Sequence, residues 1–154
     1  VSKDIARRKL IPTDIVQAHD SGAIHFHDMD YIIQPMFNCC LVNLEDMLTN
    51  GTVINGKRID TPKSFQVACT VTTQIIAQVA SGQYGGQSIN GIDRILAPYV
   101  RKSYDKYLEI FEDEVNKEKI AERMMMKELK DGIQTIQYQI QTLNTSNGRI
   151  LAHY

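Results

Sequence analysis

The sequence has no tryptophan, only three cysteines among its 154 residues, and no excess of charge of either sign. Three cysteines, two of them adjacent, cannot build a disulfide framework, so we expect a reducing compartment such as the cytoplasm. The 17 basic and 18 acidic residues include no long basic block, which disfavours nucleic-acid binding. No apolar run reaches the length of a membrane span or a signal core, so we expect no membrane partner.

Residues 1–60 predict an irregular segment with short strands. A short helix follows Pro12 and ends at Ser21-Gly22. Between Ala23 and Val42, isoleucine and phenylalanine alternate with aspartate and proline, which predicts short extended segments joined by turns. Leu44–Leu48 predicts one helical turn, and Thr49–Gly56 a loop or small hairpin, because Asn-Gly pairs accept the positive φ of tight turns.

From residue 61 onward the spacing of apolar residues becomes helical. Thr61 is a candidate N-cap, and Pro62 suits the first helical position. The apolar residues then recur at intervals of three and four up to Ser81-Gly82, where we expect the first of three helices to end. The stretch Gln83–Gly86 is interpreted as a helix terminator.

Two further helices are predicted after this break. The second runs through Ile92 to Phe111, where Pro98 predicts a kink or a later start. The third runs from about Lys117 to Leu143, with Asp131-Gly132 as its weak point because glycine is a poor helix former. We therefore expect a mostly α chain with a short β or irregular first third, a three-helix region over residues 61–148, and a divergent tail at residues 149–154.

Cys39-Cys40 and the nearby histidines are the residues most capable of chemistry. Adjacent residues of an extended strand point to opposite faces, so one thiol can face a site while the other packs in the core. Two buried, unreactive cysteines remain an alternative. His25 and His27, two apart, would share one face of a strand and could grip an anionic group or a metal. Without a third placed ligand the metal interpretation is disfavoured, as is a zinc site at Cys39 and Cys40.

Together these segments resemble the anaerobic, class III ribonucleoside-triphosphate reductases, which are glycyl-radical enzymes. The resemblance covers nearly the whole chain. It is carried by six ordered blocks, namely residues 18–31 (AHDSGAIHFHDMDY), 38–44 (NCCLVNL), 61–64 (TPKS), 77–81 (AQVAS) with 84–86 (YGG), 97–104 (APYVRKSY) and 143–148 (LNTSNG).

The resemblance implies that the chain is the amino-terminal part of a ten-stranded α/β barrel that reduces ribonucleotides to deoxyribonucleotides by radical chemistry. It places on Cys39 the role of the cysteine that helps to reduce the substrate radical as the 2′-hydroxyl leaves. Cys40 is then a packing residue. His25, His27 and Asn38 become candidate contacts to the ribonucleoside triphosphate substrate. Formate or a dithiol protein is the implied ultimate reductant.

The helical region resembles the family's dimer and specificity region, where a deoxynucleoside triphosphate or ATP binds as effector. By this similarity the candidate effector-binding residues are Asp60, Lys63, Gln74 and Lys106. A lysine ammonium can hold a triphosphate, and a glutamine can both donate to and accept from a base edge. The resemblance also implies a homodimer.

Other parts of the family's machinery have no counterpart in the sequence. The thiyl cysteine, the glycyl-radical loop and the zinc cysteines of the carboxyl-terminal part are missing, so we expect the chain alone to be inactive. The radical would be made by an activating enzyme that uses S-adenosylmethionine and an iron-sulfur cluster; no cofactor or metal is expected in the chain itself. The alternative function is a noncatalytic helical module for self-association or interaction.

Overall fold

A computed structural model of the chain describes residues 1–33 and 36–143. The chain divides into two compact units, Val1–Phe37 and Asn38–Tyr154. The predicted boundary at residue 60 lies inside the second unit. The predicted tail at residues 149–154, and the last predicted helical-region residues, 144–148, lie outside the described residues.

The first unit is built from short helical segments. Helix α1 (Ser2–Ile5) continues directly into a π-helical turn, Ala6–Leu10, and α2 (Thr13–Asp20) follows. The small core consists of Ala6, Ile11 and Met29, and Arg7 Nη2 donates to Asp20 Oδ2 at 2.6 Å. The helix predicted between Pro12 and Ser21-Gly22 is thus confirmed.

The extended segments predicted after Ala23 are wrong for most of this stretch. Residues 24–33 form turns and bends around a single 3₁₀ turn, Met29–Tyr31. Asp28 precedes that turn with φ 55°, a left-handed conformation that reverses the chain. The aspartates therefore mark turns, as their propensities favour, and the intervening apolar residues are too few to sustain a strand.

Four very short strands lie in the described part of the second unit, which ends at residue 143. Strand β1 (Cys40–Leu41) pairs in parallel with β4 (Gln87–Ser88). Helix α3 (Leu44–Asn50) follows β1, and its N-cap is Asn43, whose side chain accepts from the Asp46 amide. Strands β2 (Thr52–Ile54) and β3 (Lys57–Ile59) form an antiparallel hairpin.

The hairpin confirms one of the two alternatives for the Asn-Gly stretch. Asn55 and Gly56, the two residues between the strands, have φ 50° and 75°. Positive φ at both central positions is the requirement of a type I′ turn, whose twist matches that of the flanking strands. Because asparagine and glycine tolerate that conformation best, the turn sequence sets the register of β2 on β3.

Among its described residues, the second unit also contains three long helices: α4 (Phe65–Ser81), α5 (Ile92–Ile110) and α6 (Lys117–Thr142). The predicted end near Ser81-Gly82 is confirmed. The predicted cap is wrong: Ser64 Oγ accepts from the Val67 amide at 3.4 Å, whereas Thr61 Oγ1 donates to Thr49 O. Helix α5 starts at Ile92 and contains Pro98, so the later start is also wrong.

The core of the second unit lies between these helices. Phe65, Cys69 and Leu48 are almost completely buried, and Tyr99 of α5 donates its hydroxyl to Leu48 O at 3.2 Å. The predicted weak point in α6 is wrong, since the helix runs through Asp131 and Gly132 without a break. In the described part of the chain, no helix is both long enough and apolar enough to cross a membrane.

Candidate active site around Cys39

Cys39 lies immediately before β1, and the pairing of β1 with β4 fixes its surroundings. The Cys40 amide donates to Gly86 O at 3.2 Å and the Val42 amide donates to Ser88 O at 2.9 Å. Cys40 is half-buried and packs against the core, whereas Cys39 is exposed. The alternative in which both adjacent cysteines are buried is wrong. One thiol is available for chemistry and its neighbour is a packing residue.

Asn38 contacts the Cys39 thiol on one side and, on the other, the stretch Gln83–Gly86, which we call the glycine loop. Cys39 Sγ donates to Asn38 Oδ1 at 3.4 Å. On the other side, a Cβ at Gly85 would overlap Asn38 Oδ1 and stand 2.8 Å from the Asn38 carbonyl carbon. Only glycine permits this approach. The stretch that the sequence indicated only as a helix terminator therefore also shapes the Asn38-Cys39 segment.

The three thiols differ in electrostatic environment. Burial raises the pKa of Cys40, and the neighbouring Cys39 raises it further. Burial raises the pKa of Cys69 to about 11. Because the thiolate is the reactive form of cysteine, both groups are less nucleophilic than an ordinary thiol. The exposed Cys39 is the cysteine best placed to react.

His25 and His27 come together, although not on a strand. Their rings lie 5.6 Å apart, and His27 Nδ1 lies 3.4 Å from His25 Nε2, so that one of the two nitrogens can donate to the other. Asp28 Oδ2 lies 3.3 Å from His27 Nε2. His19, which the sequence did not single out, has its ring 5.4 Å from that of His25, and its Nδ1 accepts from the Phe26 amide.

The cluster could not be foreseen from spacing, because it depends on a turn that returns the chain to the end of α2. A turn of this kind has no strict periodicity. Within residues 1–33 and 36–143, no group of three or more histidine, cysteine, aspartate or glutamate residues is arranged to hold a metal ion.

The candidate effector residues are not gathered in one groove. Gln74 lines an open groove of about 590 Å³ between α4 and the β2-β3 hairpin, together with Asn55 and Lys57. Asp60 and Lys63 are exposed and do not line that groove. Lys57 was not among the predicted residues, although it supplies the cation of this groove. A hairpin folded over a helix is a tertiary relationship, which sequence spacing alone does not reveal.

Lys106 is engaged elsewhere. Its Nζ donates to Glu128 Oε2 of α6 at 2.8 Å, and the same carboxylate accepts from Tyr107 and Ser103 hydroxyls, each at 2.9 Å. Hydrogen bonding to Glu128 raises the pKa of Lys106. Burial raises the pKa of Glu128, but the bonds from Lys106, Tyr107 and Ser103 outweigh it, and the net shift is downward. This network joins α5 to α6.

Two glutamines beside the site were also missed by the sequence analysis. Gln83 is 4% exposed, and its Nε2 donates to Gly85 O at 3.1 Å; Gln87 Nε2 donates to Ile76 O at 2.9 Å. The Oε1 atom of each is buried and has no hydrogen-bond partner among the described residues. A polar residue in a glycine-rich stretch is ordinarily expected at the surface, so the sequence offered no signal that Gln83 is buried and Gln87 half-buried.

Comparison with known proteins places the chain in a family context. A family model described as anaerobic ribonucleoside-triphosphate reductase matches residues 1–150. Among curated relatives, the anaerobic ribonucleoside-triphosphate reductase of Escherichia coli strain K12 is 47% identical over 152 residues, which is 97% of this chain and 21% of that protein. The Haemophilus influenzae reductase is 46% identical, with 97% of this chain and 22% of the relative covered.

A phage relative has the same name and a similar degree of identity. The anaerobic ribonucleoside-triphosphate reductase of Enterobacteria phage T4 is 43% identical over 155 residues, covering 97% of this chain and 25% of the relative. The chain thus spans about a fifth to a quarter of the length of the curated relatives that it matches.

Proposed function

The chain belongs to the anaerobic ribonucleoside-triphosphate reductase family, and from this premise we propose that it forms the reductant side of a radical active site, with Cys39 as the reacting thiol. The observation that carries the proposal is the contrast among the three cysteines. Cys39 alone is exposed, while Cys40 is half-buried and Cys69 is buried. A thiol that transfers hydrogen to a substrate must be reachable by that substrate.

The reaction replaces the 2′-hydroxyl of a ribonucleoside triphosphate by hydrogen, and the hydroxyl leaves as water. This change consumes two electrons and two protons. The Cys39 S–H bond breaks to give the substrate radical one hydrogen atom, that is, one electron and one proton, and Cys39 becomes a thiyl radical. Formate or a dithiol protein then gives up two electrons as it is oxidised: one, with a proton, restores the Cys39 thiol, and the other, with a second proton, completes the reduction of the substrate. Asn38, which accepts a hydrogen bond from Cys39 Sγ, keeps the thiol in one orientation.

The remaining machinery belongs to the longer protein. In this proposal the described residues form part of an α/β barrel, and the rest of that barrel supplies the second cysteine, the glycyl radical and the zinc cysteines. An S-adenosylmethionine-dependent iron-sulfur enzyme generates the radical. This chain by itself does not turn over ribonucleotides, because a single thiol cannot both start and finish the radical reaction.

We also propose that His25 and His27 bind the triphosphate of the substrate. Two neighbouring imidazoles, each able to donate a hydrogen bond, suit a phosphate group, and protonation adds a positive charge. The 3.4 Å contact between His27 Nδ1 and His25 Nε2 keeps the two rings together, so that both can approach one phosphate group. His27→Ala should therefore raise the KM for ribonucleotide with a smaller effect on kcat.

The effector site is proposed at the groove that contains Gln74. The base of the effector nucleotide would hydrogen-bond to the Gln74 amide. Lys57 would provide a charge at the rim of the groove, and Lys63 and Asp60 would provide charges beyond it. For Lys106 to bind the effector, its ammonium would have to leave Glu128, to which it donates a hydrogen bond, when the effector binds in a homodimer. A titration of the chain with each deoxynucleoside triphosphate and with ATP tests it: the melting temperature should rise for a true effector, and Gln74→Ala should abolish the rise.

The decisive test of the thiol uses the complete reductase chain that includes these 154 residues. Cys39→Ser should abolish deoxynucleotide formation, whereas Cys40→Ser should retain most of it because Cys40 packs against the core. Circular dichroism and melting temperature show whether both variants fold. Full activity in a folded Cys39→Ser variant would refute the catalytic proposal.

A second function is favoured by one specific observation. An apolar groove of about 930 Å³ lies between α5 and α6, lined by residues that include Leu96, Leu129 and the 40% exposed Ile133. Exposed apolar grooves of this kind are typical of protein-protein contacts. If the chain is a noncatalytic self-association module, Ile133→Asp should abolish concentration-dependent association, and nucleotides should have no effect on it.

A further inference from the structure

Three imidazole rings lie in a row within the first unit. The ring centre of His19, in the last turn of α2, lies 5.4 Å from that of His25, which in turn lies 5.6 Å from that of His27. His19 is half-buried, whereas His25 and His27 are exposed, so a small anion can reach the row from solvent. The proposed function uses only His25 and His27, and it gives His19 no role.

A hydrogen bond to the backbone determines which nitrogen of His19 carries the proton. The Phe26 amide donates to His19 Nδ1 at 3.2 Å. Because an amide N–H can only donate, Nδ1 presents its lone pair, and the proton of the neutral ring is on Nε2. His19 Nε2 has no hydrogen-bond partner among the residues that the structure describes. It is therefore a donor with a fixed proton and no acceptor of its own.

The other two rings use their protons within the row. His27 Nε2 lies 3.3 Å from Asp28 Oδ2, which favours a proton on that nitrogen and a lone pair on Nδ1. His27 Nδ1 lies 3.4 Å from His25 Nε2, so His25 supplies the proton of that contact. Among the described contacts of the neutral row, His19 is thus the ring whose N–H is left for a ligand. Uptake of a proton by His25 adds a second donor at its Nδ1.

The carboxylate next to His19 in the sequence does not take this donor. Asp20 accepts from Arg7 Nη2 through Oδ1 at 2.5 Å and through Oδ2 at 2.6 Å. Its negative charge is therefore paired with a guanidinium. An anion that approaches His19 consequently meets a paired carboxylate, which repels it less than an unpaired one would.

We propose that His19 is a third anion-binding residue of this cluster, and that its Nε2 donates a hydrogen bond to a phosphate oxygen of the ribonucleoside triphosphate. This inference rests on the proposed role of His25 and His27. A donor whose proton is already in place needs no change of tautomer when the phosphate binds, so less of the binding free energy is lost to reorganisation. The bond from the Phe26 amide is the contact that fixes this proton.

Two substitutions separate the donor of His19 from its structural bond. The side-chain oxygen of asparagine has the same bond separation from Cβ as Nδ1, so His19→Asn keeps an acceptor for the Phe26 amide but has no atom at Nε2. The side-chain nitrogen of glutamine corresponds to Nε2, so His19→Gln keeps the donor. We expect His19→Asn to raise the KM for ribonucleotide about tenfold, as for the loss of one hydrogen bond to a charged group, and His19→Gln to raise it less than about threefold.

The measurement is a steady-state assay of the complete reductase chain at saturating effector, with inorganic triphosphate as a competing ligand. Because inorganic triphosphate has no sugar or base, its inhibition constant should rise in His19→Asn by the same factor as the KM, while kcat stays within about twofold. The melting temperature should fall in His19→Gln but not in His19→Asn. Gln17→Ala, at an exposed position of α2, is the matched control and should change none of these values.

An unchanged KM in His19→Asn would overturn the inference. Equal increases in KM and equal losses of stability in the two variants would also overturn it, because His19 would then act only through the fold. His27→Ala in the same assay keeps the two proposals distinguishable. If His27→Ala raises the KM while His19→Asn does not, only the role of His19 fails. If neither variant changes the KM or the inhibition by triphosphate, the proposed phosphate site itself fails.

Discussion

Gly85 lies so close to Asn38 that a Cβ at position 85 would stand 2.8 Å from the Asn38 carbonyl carbon. Because the atoms that such a Cβ would meet include the Asn38 backbone, they cannot move aside as the end of a flexible side chain can. The contact holds the residue before Cys39 against the loop that follows α4. It therefore helps to set the geometry of the candidate site.

This contact makes different predictions for two adjacent glycines. Gly85→Ala should lower the free energy of unfolding by about 1–3 kcal/mol, because the new methyl group overpacks against Asn38. Gly86→Ala is the matched control, since the structure shows open space at its Cβ position. Its effect should stay within about 0.5 kcal/mol. Urea denaturation of both variants measures the difference, and equal stabilities would contradict the described contact.

The three cysteines should react at separate rates with a thiol reagent at pH 8. Cys39 should react first because it is exposed. Cys69 should react only on unfolding: it is buried, and with a pKa of about 11 only about one part in a thousand is thiolate at pH 8. Mass spectrometry of timed samples identifies each modified residue. Modification of Cys69 before Cys39 in the folded protein would contradict the burial pattern.

Gly132 in the middle of α6 should resist replacement by a better helix former. Alanine is favoured over glycine in a helix by about 1 kcal/mol, but a Cβ at position 132 would overlap the Phe65 ring and stand 3.0 Å from Cys69 Sγ. We expect Gly132→Ala to lower the melting temperature, whereas Gln134→Ala, at an exposed position of the same helix, should leave it unchanged or raise it. Stabilisation by Gly132→Ala would show that the helices do not pack this closely.

The ion pair between Lys106 and Glu128 should be worth about 1 kcal/mol, as expected for a partly exposed pair. Lys106→Ala should remove roughly that amount without unfolding the chain, because Ser103 and Tyr107 still bond the carboxylate. Lys127→Ala, which removes an exposed lysine of α6, serves as control. Equal effects of the two substitutions on thermal stability would mean that the pair contributes nothing.

The same network predicts a pH dependence. The pKa of Glu128 is lowered in the folded chain from its ordinary value of 4.5, so folding favours its ionised form. The resulting stabilisation is fully present above pH 4.5 and is lost as the pH falls through the lowered folded pKa. The stability difference between wild type and Glu128→Gln should therefore shrink below pH 4.5, as followed by urea denaturation at several pH values. A difference that grows in acid would contradict the lowered pKa.

The helices were the most predictable part of the fold. Apolar residues at intervals of three and four identified α4, α5 and α6, because each buries one stripe against the others. The Asn55-Gly56 turn was also identifiable, since the local backbone requirement is strict. The start of α4 was not: Thr61 and Ser64 are both acceptable caps, and the hydrogen bond of Thr61 to Thr49 decided between them.

The candidate site was predictable only in part. The alternation of a strand correctly separated Cys39 from Cys40, because that rule depends on two adjacent residues alone. Other features depend on pairing between distant segments or on irregular turns. They are the close approach of Gly85 to Asn38, the burial of Gln83, and the contact between the rings of His25 and His19. No periodicity encodes such contacts. The family resemblance implied roles for these residues, but where the residues lie relative to one another came from the fold.

The central claim is that the Cys39 thiol faces the bound ribonucleotide, and alkylation of the complete reductase measures this directly. The rate of modification of Cys39 would be followed by peptide mass spectrometry with and without a saturating ribonucleoside triphosphate, before radical generation. The proposal predicts that substrate slows modification of Cys39 at least tenfold, while an added effector nucleotide alone does not. An unchanged rate at a substrate concentration shown to saturate the enzyme would contradict the placement of Cys39 in the active site.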